Sequence, residues 1–571
     1  MRFVTQQSGN ETQQAAFVPL LAARMERMKD MKKWLGGAAC VLSEDVERRR
    51  TRRIAAAIAG MCCITGSISS SVGEPVRDSG APDVTQSESA MAQPNIAETV
   101  RKEAQELSFT PYKAAAEVKS AAPANYDDYR RLRFQPKSAL WYRRPPALEL
   151  HGLPLGWLFK HPIELLAIEN GRSQPVKFTG ADFLDEREGA MDDRLKAVEM
   201  PLSGFRISGP LNGADKADEI IVFQGASYFR ALGRGHVYGL SARGLAIGTA
   251  STKGEEFPSF RKFWVEKPSD DANVVAIHAL LDSPSASGAY TFTVHPGAET
   301  IVDVNATLYP RQALGEIGIA PLTSMFLVGP VNSTRVQDFR PRVHDSDGLA
   351  ILSGSGERIW RPLTNPRKLQ VSAFVDNNPR GFGLIQRRRE FADYEDLEAR
   401  YERRPSAWVE FMRGPGPGSV FLVELPTEEE IHDNIVAFWR PTQHLEKGRE
   451  YQLSYRLRWR DETPTRFVGP WISDTRIGRA YHEAAAGSIH FVIDYLDQER
   501  FGEKELPKAQ ATTSVGEIRN LVVQPNPETG GLRVSLIFDP QGKDLAELRV
   551  NLSDWNGRVP ETWLYRWTNS Q

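Results

Sequence analysis

Two aspartates of this chain stand in similar surroundings, each following a histidine at a turn that precedes an apolar run. Asp345 lies in the sequence RVHDSDG, and Asp433 lies in the sequence EIHDNIV. They are 433 − 345 = 88 residues apart, so only the fold can bring them together. Cleavage of a glycosidic bond needs one acid to protonate the leaving oxygen and one base to activate water. Two aspartates on facing turns would suit that chemistry, whereas two separate Asx turns would give the same pattern without a catalytic role.

The segment around Asp433 has the stronger local pattern. Residues 425–441 read LPTEEEIHDNIVAFWRP, in which a Pro-Thr turn and three glutamates precede the apolar run IVAFW. A short aromatic and β-branched run between turn signals predicts a buried strand. Asp433 would then lie at the start of a rigid strand that holds its carboxylate in one position. The three glutamates are interpreted as a solvated turn.

Other patterns that would support catalysis are weaker or absent. The pair Asp282 and Asp303 lies on or beside predicted strands, and the pair Asp393 and Asp396 lies on the exposed face of a predicted helix. The sequence has no P-loop, no Rossmann fingerprint after a strand, no HExxH and no GxSxG. The ten histidines have no zinc spacing, and all three cysteines lie before residue 64. The sequence therefore predicts neither a metal ion nor a cofactor.

The composition bears on the classes of partner. The chain has 571 residues, of which 41% are apolar and 25% are charged, and its formal net charge is −2. These values are typical of globular proteins with two or more domains. A charge near zero gives no electrostatic argument for binding nucleic acid or an acidic membrane surface. The 12 tryptophans indicate either core packing or an aromatic groove for sugar rings.

Residues 1–92 are predicted to form an N-terminal extension with an export signal and a flexible linker. The basic run RRRTRR precedes the apolar run IAAAIAGMCCI, which is the order found in export signals. The run TRRI partly matches a twin-arginine signal, so the Sec and twin-arginine routes both stay open. The alternative is an amphipathic basic helix at a disordered end. The apolar run is too short for a permanent membrane span, so we expect a periplasmic protein without stable membrane insertion.

Short strands separated by turn residues dominate the rest of the chain. A helix is expected from Ile96, where IAETVRKEAQELSF has apolar residues at helical spacing. Runs such as IELLAIEN, GFRIS and EIIVFQ are bounded by turn residues, and NVVAIHALLD, GAYTFTVHPG and TIVDVNATLYP have the spacing of a meander. This pattern predicts an all-β fold whose large antiparallel β-sandwich domain occupies residues 93–460.

Two segments of that domain are predicted to interrupt the strands, and a second domain is predicted after it. Apolar order weakens between Leu308 and Met325, which indicates a loop around Ala320. The run FADYEDLEARYERRP from Phe391 has early acidic and late basic residues and predicts a helix. Clean alternation stops at Asp461, and the strand-like runs of residues 472–571 suit a small immunoglobulin-like β-sandwich.

Several long blocks of the sequence resemble one known family. They include FQGASYFRALGRGHVYGLSARGLAI, GEEFPSFRKFWVEKP, APLTSMFLVGP, RIWRPLTNP and DNIVAFW. These blocks are similar to those of the periplasmic glucan biosynthesis proteins G and D, and they resemble protein G more closely. The resemblance covers about residues 93–571. It implies a large β-sandwich with a long cleft, followed by an immunoglobulin-like domain, and a role in making osmoregulated periplasmic glucans.

The resemblance also implies an activity and a role for each aspartate. Members of the D branch are anomer-inverting enzymes that hydrolyse or transglycosylate β-1,2-glucan. By position, Asp433 in DNIVAFW matches the general acid of the family, and Asp345 in HDSDG matches its general base. Protein G members can keep these residues and still serve assembly. The alternative is therefore a non-catalytic glucan-binding protein that supports the inner-membrane glucan synthase.

Five further residues are candidates to line the cleft and bind substrate: Tyr228, Arg243, Trp360, Arg361 and Trp439. For each of them the alternative is burial in the core. The sequence departs from the family in two places. Gly248 stands where the family often has Asp, and the loop RGPGPGS from Arg413 lacks the usual Trp-Gly-Lys. Both departures are expected to affect how substrate is held.

Overall fold

The computed structural model of the protein describes residues 95–569, apart from residues 119–124, 146, 187–188, 190, 192, 270–272, 333–336, 462–468, 482–486, 498–505 and 554–557. The predicted extension, export signal and linker at residues 1–92 lie outside the described residues. Most of the predicted domain boundary between residues 461 and 472 lies outside them as well.

Strands make up most of the described chain. In chain order they are β1 (Leu132–Phe134), β2 (Glu149–Pro154), β3 (Glu164–Glu169), β4 (Arg172–Pro175), β5 (Phe183–Asp185), β6 (Leu202–Gly209), β7 (Asp218–Gln224), β8 (Tyr228–Ala231), β9 (Ser241–Arg243), β10 (Leu245–Ile247), β11 (Ser259–Glu266), β12 (Val275–Asp282), β13 (Ala286–His295), β14 (Thr300–Pro310), β15 (Ile317–Ser324), β16 (Phe326–Val328), β17 (Val343–His344), β18 (Gly348–Leu352), β19 (Arg358–Pro362), β20 (Gln370–Asn377), β21 (Gly381–Ile385), β22 (Ser406–Phe411), β23 (Pro417–Glu424), β24 (Ile435–Pro441), β25 (Tyr451–Arg460), β26 (Trp471–Arg479), β27 (Ile489–Leu496), β28 (Ala509–Thr513), β29 (Glu517–Asn526), β30 (Gly531–Asp539), β31 (Leu545–Leu552) and β32 (Thr562–Thr568).

Helices are short and few in the described residues. They are α1 (Ile96–Ser108), α2 (Tyr126–Arg131) and α3 (Asp193–Lys196), with 3₁₀ turns at Pro136–Ser138, Gly180–Asp182, Phe391–Asp393 and Tyr401–Arg403. The helix predicted from Ile96 is confirmed as α1. The Asn95 side chain accepts a hydrogen bond from the Glu98 backbone N–H, which satisfies one donor that a helix start leaves unpaired. Val100 and Ala104 are buried in a cluster with Trp264 of β11.

Two large sheets pack face to face around the main core. The first has the order β2-β6-β7-β8-β9-β15-β24-β23-β20, with β10 beside β15, and the second has the order β28-β31-β32-β19-β18-β21-β22-β25-β14-β13-β12-β11-β3-β4. Phe205 and Phe223 of the first sheet contact Phe263 of the second at ring-centroid distances of 5.0 and 5.4 Å. Phe223 also contacts Phe292 at 5.1 Å. The predicted all-β sandwich fold is confirmed.

The predicted meander is confirmed by the pairing of β12, β13 and β14. These strands are consecutive and antiparallel in the second sheet. In β13, Tyr290, Phe292 and Val294 are buried in the main core, whereas Thr291 and Thr293 on the other face are partly exposed. This alternation is the two-residue period that a sheet imposes when only one of its faces covers the core.

The loop predicted around Ala320 is wrong, because this segment is the strand β15. It pairs with β24 on one side and with β9 and β10 on the other. The register shifts between Ile319 and Leu322, and Ala320 has a φ of 49°. A bulge in a central strand disturbs the apolar alternation locally, which explains why the sequence pattern resembled a loop.

The helix predicted from Phe391 is also wrong. The segment forms only the two 3₁₀ turns, and between them Glu395 and Arg400 have φ values of 55° and 48°. The Asp396 carboxylate accepts hydrogen bonds from the backbone N–H groups of Glu398 and Ala399 at 2.8 and 2.7 Å. An Asp that bonds its own following backbone favours a turn over a helix, and left-handed residues interrupt helical geometry.

The C-terminal strands add a smaller sheet and a second core. The sheet β26-β27-β30-β29 packs in this core together with β31 and β32, around Phe491, Trp563 and Tyr565. β32 pairs in parallel with β19, with Trp563 opposite Trp360, and so continues the second large sheet. All described residues belong to one compact unit, and the division into residues 93–460 and 472–571 stays a prediction.

Candidate active site

Asp433 is held just before β24 by its neighbour Asn434. The Asn434 side chain accepts a hydrogen bond from the Phe326 backbone N–H at 2.8 Å and donates to the Phe326 and Leu425 carbonyl oxygens at 3.0 and 2.9 Å. The Leu425 backbone N–H in turn donates to the Asn434 carbonyl oxygen at 2.8 Å. These bonds fix the start of β24 against β16. Asp433 therefore has a defined position, and it is only 3% exposed.

Asp345 follows β17 directly and is completely buried. Its backbone N–H donates to the Met325 carbonyl oxygen at 2.9 Å. Its Oδ1 accepts a hydrogen bond from the Arg404 guanidinium in an ion pair. Among the described residues, its Oδ2 has no hydrogen-bond partner although it is buried. Because a buried carboxylate oxygen is costly to leave unpaired, Oδ2 is suited to accept from a water molecule or a sugar hydroxyl.

The two aspartates act on each other electrostatically, and the pKa of each is shifted. Burial raises the pKa of Asp433 to about 7, and the charge of Asp345 adds to this effect against the opposing charges of Arg230, Arg243 and Arg404. Burial also raises the pKa of Asp345, and the strongest opposition comes from Arg404. The fold thus brings both aspartates into one buried site. With a pKa of about 7, Asp433 carries a proton about half of the time at neutral pH, and the contacting Arg404 guanidinium opposes the rise in the pKa of Asp345.

Arg404 is positioned by Tyr401 and by the backbone. Its guanidinium carbon lies 4.0 Å from the Tyr401 ring centroid, and its Nε donates to the Ala399 carbonyl oxygen at 3.3 Å. The Tyr401 hydroxyl donates to Glu430 at 3.0 Å, and Glu430 forms an ion pair with Arg340 at 2.7 Å. Glu430 is therefore part of a charged network beside the site, rather than one of three solvated turn residues.

Arg243 and Tyr228, two of the predicted cleft residues, lie beside Asp433. Arg243 donates to Thr323 Oγ1 at 3.0 Å and to Glu255 at 2.7 Å, and its guanidinium carbon lies 5.0 Å from the Tyr228 ring centroid. The charge of Asp433 acts on both side chains. Within the described residues, Nη2 of Arg243 is buried without a hydrogen-bond partner. This nitrogen is a donor available to a bound molecule.

The turn after β10 completes the environment of Arg243. Gly248 begins it with a φ of 68°, a conformation that glycine adopts at low cost. The Thr249 hydroxyl donates to the same Glu255 oxygen that accepts from Arg243, at 2.6 Å. Gly248 therefore lies in a turn that borders the partner of Arg243.

Trp360, Arg361 and Trp439, the other predicted cleft residues, are engaged in packing and ion pairing. Trp439 is fully buried in the main core. The Arg387 guanidinium stacks on Trp360 at 3.5 Å from the ring centroid, in the C-terminal core. Arg361 forms a buried ion pair with Glu424 at 3.1 Å. All three side chains are buried, and their role as cleft residues stays a prediction.

Two arginines that sequence reasoning did not single out belong to the site. Arg230 on β8 is 5% exposed, and its charge lowers the pKa of both Asp345 and Asp433. Arg404 makes the direct ion pair with Asp345. Arginine is rarely buried unless it is paired. The presence of Arg230 within an apolar, strand-like run could therefore have indicated a buried charged site. Arg404 lay in the segment predicted as a helix, where nothing pointed towards Asp345.

The loop that carries Asp345 is anchored to the C-terminal sheet. Arg342 donates to the Asp474 carboxylate at 3.1 Å, and Arg388 donates to the same oxygen at 2.9 Å. Asp474 lies on β26, and its side chain is only 7% exposed. The C-terminal strands therefore help to hold the chain three residues before Asp345.

No group of three or more His, Cys, Asp or Glu side chains in the described part of the chain could hold a metal ion. Across the same residues, no helix is both long enough and apolar enough to cross a membrane.

Comparison with known proteins identifies the family. The model of the family described as "Periplasmic glucan biosynthesis protein, MdoG" matches residues 96–567. Glucans biosynthesis protein G of Vibrio cholerae serotype O1 is 48% identical over 480 residues, covering 82% of this chain and 86% of that protein. The protein of the same name from Shewanella baltica is 46% identical over 478 residues, covering 82% and 87%. A galactose mutarotase related enzyme from Lactobacillus acidophilus, with a TM-score of 0.20 and 10% identity, matches 46% of this chain and 96% of its own, a similarity too low to support any conclusion. The chain belongs to the MdoG family of periplasmic glucan biosynthesis proteins.

Proposed function

We propose that this protein acts in the periplasm in the biosynthesis of osmoregulated periplasmic glucans, as an anomer-inverting hydrolase or transglycosylase of the β-1,2-glucan backbone. Family membership and the names of its relatives support the pathway. The observation that carries the activity is the buried pair Asp345 and Asp433. Burial gives Asp433 a pKa of about 7, and a guanidinium contacts Asp345.

In the proposed reaction Asp433 is the general acid. Its proton goes to the glycosidic oxygen, and the bond between that oxygen and the anomeric carbon breaks. A pKa near the working pH is the optimum for such a proton donor. Arg243 is the substrate-binding residue beside it, since its Nη2 can donate to a sugar oxygen, and Tyr228 packs against that guanidinium.

Asp345 is the general base in the same reaction. Its unpaired Oδ2 accepts a proton from water, or from the hydroxyl of an acceptor sugar, while that oxygen bonds to the anomeric carbon from the opposite face. Water as acceptor gives hydrolysis, and a sugar hydroxyl gives transglycosylation. The protons balance, because Asp433 loses one to the leaving oxygen and Asp345 gains one from the attacking hydroxyl. Exchange with solvent then returns a proton to Asp433 and removes the one on Asp345.

The test is incubation of the protein with linear β-1,2-glucan, with product sizes and anomers followed by NMR. We expect shorter or rearranged chains, with the inverted anomer formed first. Asp433→Asn and Asp345→Asn should each abolish turnover, whereas Asp303→Asn, which removes a carboxylate from an outward-facing ion pair with Arg456, should not. Absence of turnover at high protein concentration, with glucan binding intact, would refute the catalytic proposal.

A second candidate is a non-catalytic glucan-binding protein that supports the inner-membrane glucan synthase in assembly. The observation that favours it is the near-complete burial of both carboxylates, at 0% for Asp345 and 3% for Asp433. A polymer needs an opening to reach them. Binding of β-1,2-glucan without turnover, unaffected by Asp433→Asn, is the outcome that would select this candidate.

A further inference from the structure

Gln386 is a buried side chain whose hydrogen-bonding groups are all used. It follows β21 directly and is completely buried. Its Nε2 donates to the carbonyl oxygens of His344 and Tyr401 at 3.0 and 3.2 Å. Its Oε1 lies 3.0 Å from Nδ1 of His344. A glutamine amide has two N–H donors and a carbonyl acceptor, so each of these functions has a partner here.

The two carbonyl groups that Gln386 contacts belong to different segments of the site. His344 directly precedes Asp345, and Tyr401 lies 404 − 401 = 3 residues before Arg404. One side chain therefore connects the segment of the proposed base to the segment of the arginine that forms an ion pair with it. This connection limits how far the carboxylate and the guanidinium can move apart.

Gln386 is itself held by the second large sheet. Its backbone N–H donates to the Ser406 hydroxyl oxygen at 3.0 Å. Ser406 is the first residue of β22, which pairs with β21. Side chains that orient a reactive group do so most accurately when they are carried by rigid elements of the fold. The position of this amide is therefore determined by paired strands and not by a loop.

The bond between Gln386 and His344 also orients the histidine ring towards the second aspartate. Both partners of the amide nitrogen are carbonyl oxygens, so Oε1 has to face Nδ1 of His344, which carries the proton. The ring stacks on Phe326 at a centroid distance of 5.0 Å and an interplanar angle of 1°. The Phe326 backbone is bonded in turn to the side chain of Asn434, next to Asp433. Gln386 is thus linked to both aspartates.

The charges around Asp345 make its pKa sensitive to this arrangement. Burial raises the pKa of Asp345, and the charges of Arg404, Arg230 and His344 oppose the rise, with Arg404 the largest of the three. The charge of Asp345 in turn raises the pKa of Asp433. Because the attraction between two charges falls with their separation, the pKa of Asp345 should rise if Arg404 moves away.

We propose that Gln386 is a positioning residue, which holds Asp345 against Arg404 and, through His344 and Phe326, in register with Asp433. This inference rests on the proposed function, because it assigns a role in placing the acid and the base of that reaction. Gln386 is completely buried, so it acts through these neighbours and not by contact with substrate. A misplacement of about 1 Å in a reacting group can cost about 100-fold in rate.

The kinetic test is Gln386→Met, which keeps the length of the side chain and removes its hydrogen bonds. With linear β-1,2-glucan we expect kcat to fall by about 100-fold with little change in KM, and the acidic limb of kcat/KM to move to higher pH. The matched control is Gln370→Met on β20, where the glutamine is also buried but donates to Thr568; it should leave both unchanged. If kcat and the limb are both unchanged in Gln386→Met, or if kcat falls without a shift of the limb, the positioning role is overturned and the proposed function stands.

A second test does not depend on turnover. A double-mutant cycle of Asp345→Asn and Arg404→Gln, measured by urea unfolding, gives the coupling between these two side chains. The coupling should be smaller when the cycle is repeated in Gln386→Met, and an equal coupling overturns the proposal. If the wild type has no turnover, the proposed function fails, and this cycle alone decides the positioning role. If Gln386→Met does not fold, His344→Phe keeps a ring on Phe326, removes the Nδ1 donor and is measured in the same two assays.

Discussion

Replacing Asp433 by Asn should stabilise the protein at neutral and alkaline pH, while changing its stability little in acid. Burial raises the pKa of Asp433 from an ordinary value of 3.8 to about 7. Between these two pH values the folded state keeps a proton that the unfolded state has lost. By linkage, the free energy of unfolding of the wild type falls as the pH rises through this interval. Asn resembles the protonated carboxyl in shape but cannot ionise, so the variant escapes this loss.

The magnitude follows from the two pKa values. Their difference is 7 − 3.8 = 3.2, and each unit of pKa corresponds to about 1.36 kcal/mol, so the full effect is about 4 kcal/mol. The difference in the free energy of unfolding between Asp433→Asn and the wild type should therefore grow by about 4 kcal/mol between about pH 4 and about pH 8.

Urea denaturation of both proteins over that pH range measures the difference, in which the contributions of titrating groups that do not interact with Asp433 cancel. The control is Asp303→Asn. The hydrogen bond from Arg456 lowers the pKa of Asp303, so that ion pair stabilises the wild type above the ordinary carboxyl pKa, and the stability is lost as the pH falls. Its difference should have the opposite sign. A difference for Asp433→Asn that does not change with pH would show an ionised carboxyl at neutral pH, and it would refute Asp433 as the acid.

Three further changes probe the surroundings of the site. Arg404→Gln removes the cation that opposes the raised pKa of Asp345, so the acidic limb of the pH profile of kcat/KM should move to higher pH. A limb that does not move would show that the ionisation of Asp345 does not control kcat/KM. Asp474→Asn breaks the buried contacts of the Asp345 loop with β26 and should lower the free energy of unfolding by about 3–5 kcal/mol in urea; a loss below about 1 kcal/mol contradicts that anchoring role. Trp439→Ala should lower the free energy of unfolding in urea by about 3–5 kcal/mol, because the side chain is fully buried. A free energy of unfolding close to that of the wild type would contradict the position of Trp439 in the core.

Local patterns predicted the elements whose residues have one buried face. The alternation of β13 between the core and the outer face can be read from spacing alone, and so can the turn before β24 that places Asp433. The segment from Phe391 failed, because its helical charge pattern competes with side-chain bonds of Asp396 to the backbone. Spacing does not reveal which of these two local preferences wins.

The charged surroundings of the site could not be predicted, because they depend on contacts distant in sequence. Arg404 contacts Asp345 across 404 − 345 = 59 residues of sequence. Arg230 lies on β8, 345 − 230 = 115 residues before Asp345. Aromatic type alone did not separate Tyr228, which lies beside Asp433, from Trp439, which packs in the core. Burial of both faces of a central strand removes the alternation that would have distinguished them.

The parallel pairing of β19 with β32 has a consequence for the order of folding. Ile359 lies opposite Thr562, across 562 − 359 = 203 residues. Closing so long a loop costs entropy before the contact returns any stability, and chains rich in such distant contacts fold slowly. During synthesis β19 has to wait for almost the whole remainder of the chain before its neighbour exists. Until then the edge of β19 is open to other strands, which makes β32 a determinant of whether the nascent chain pairs with other chains.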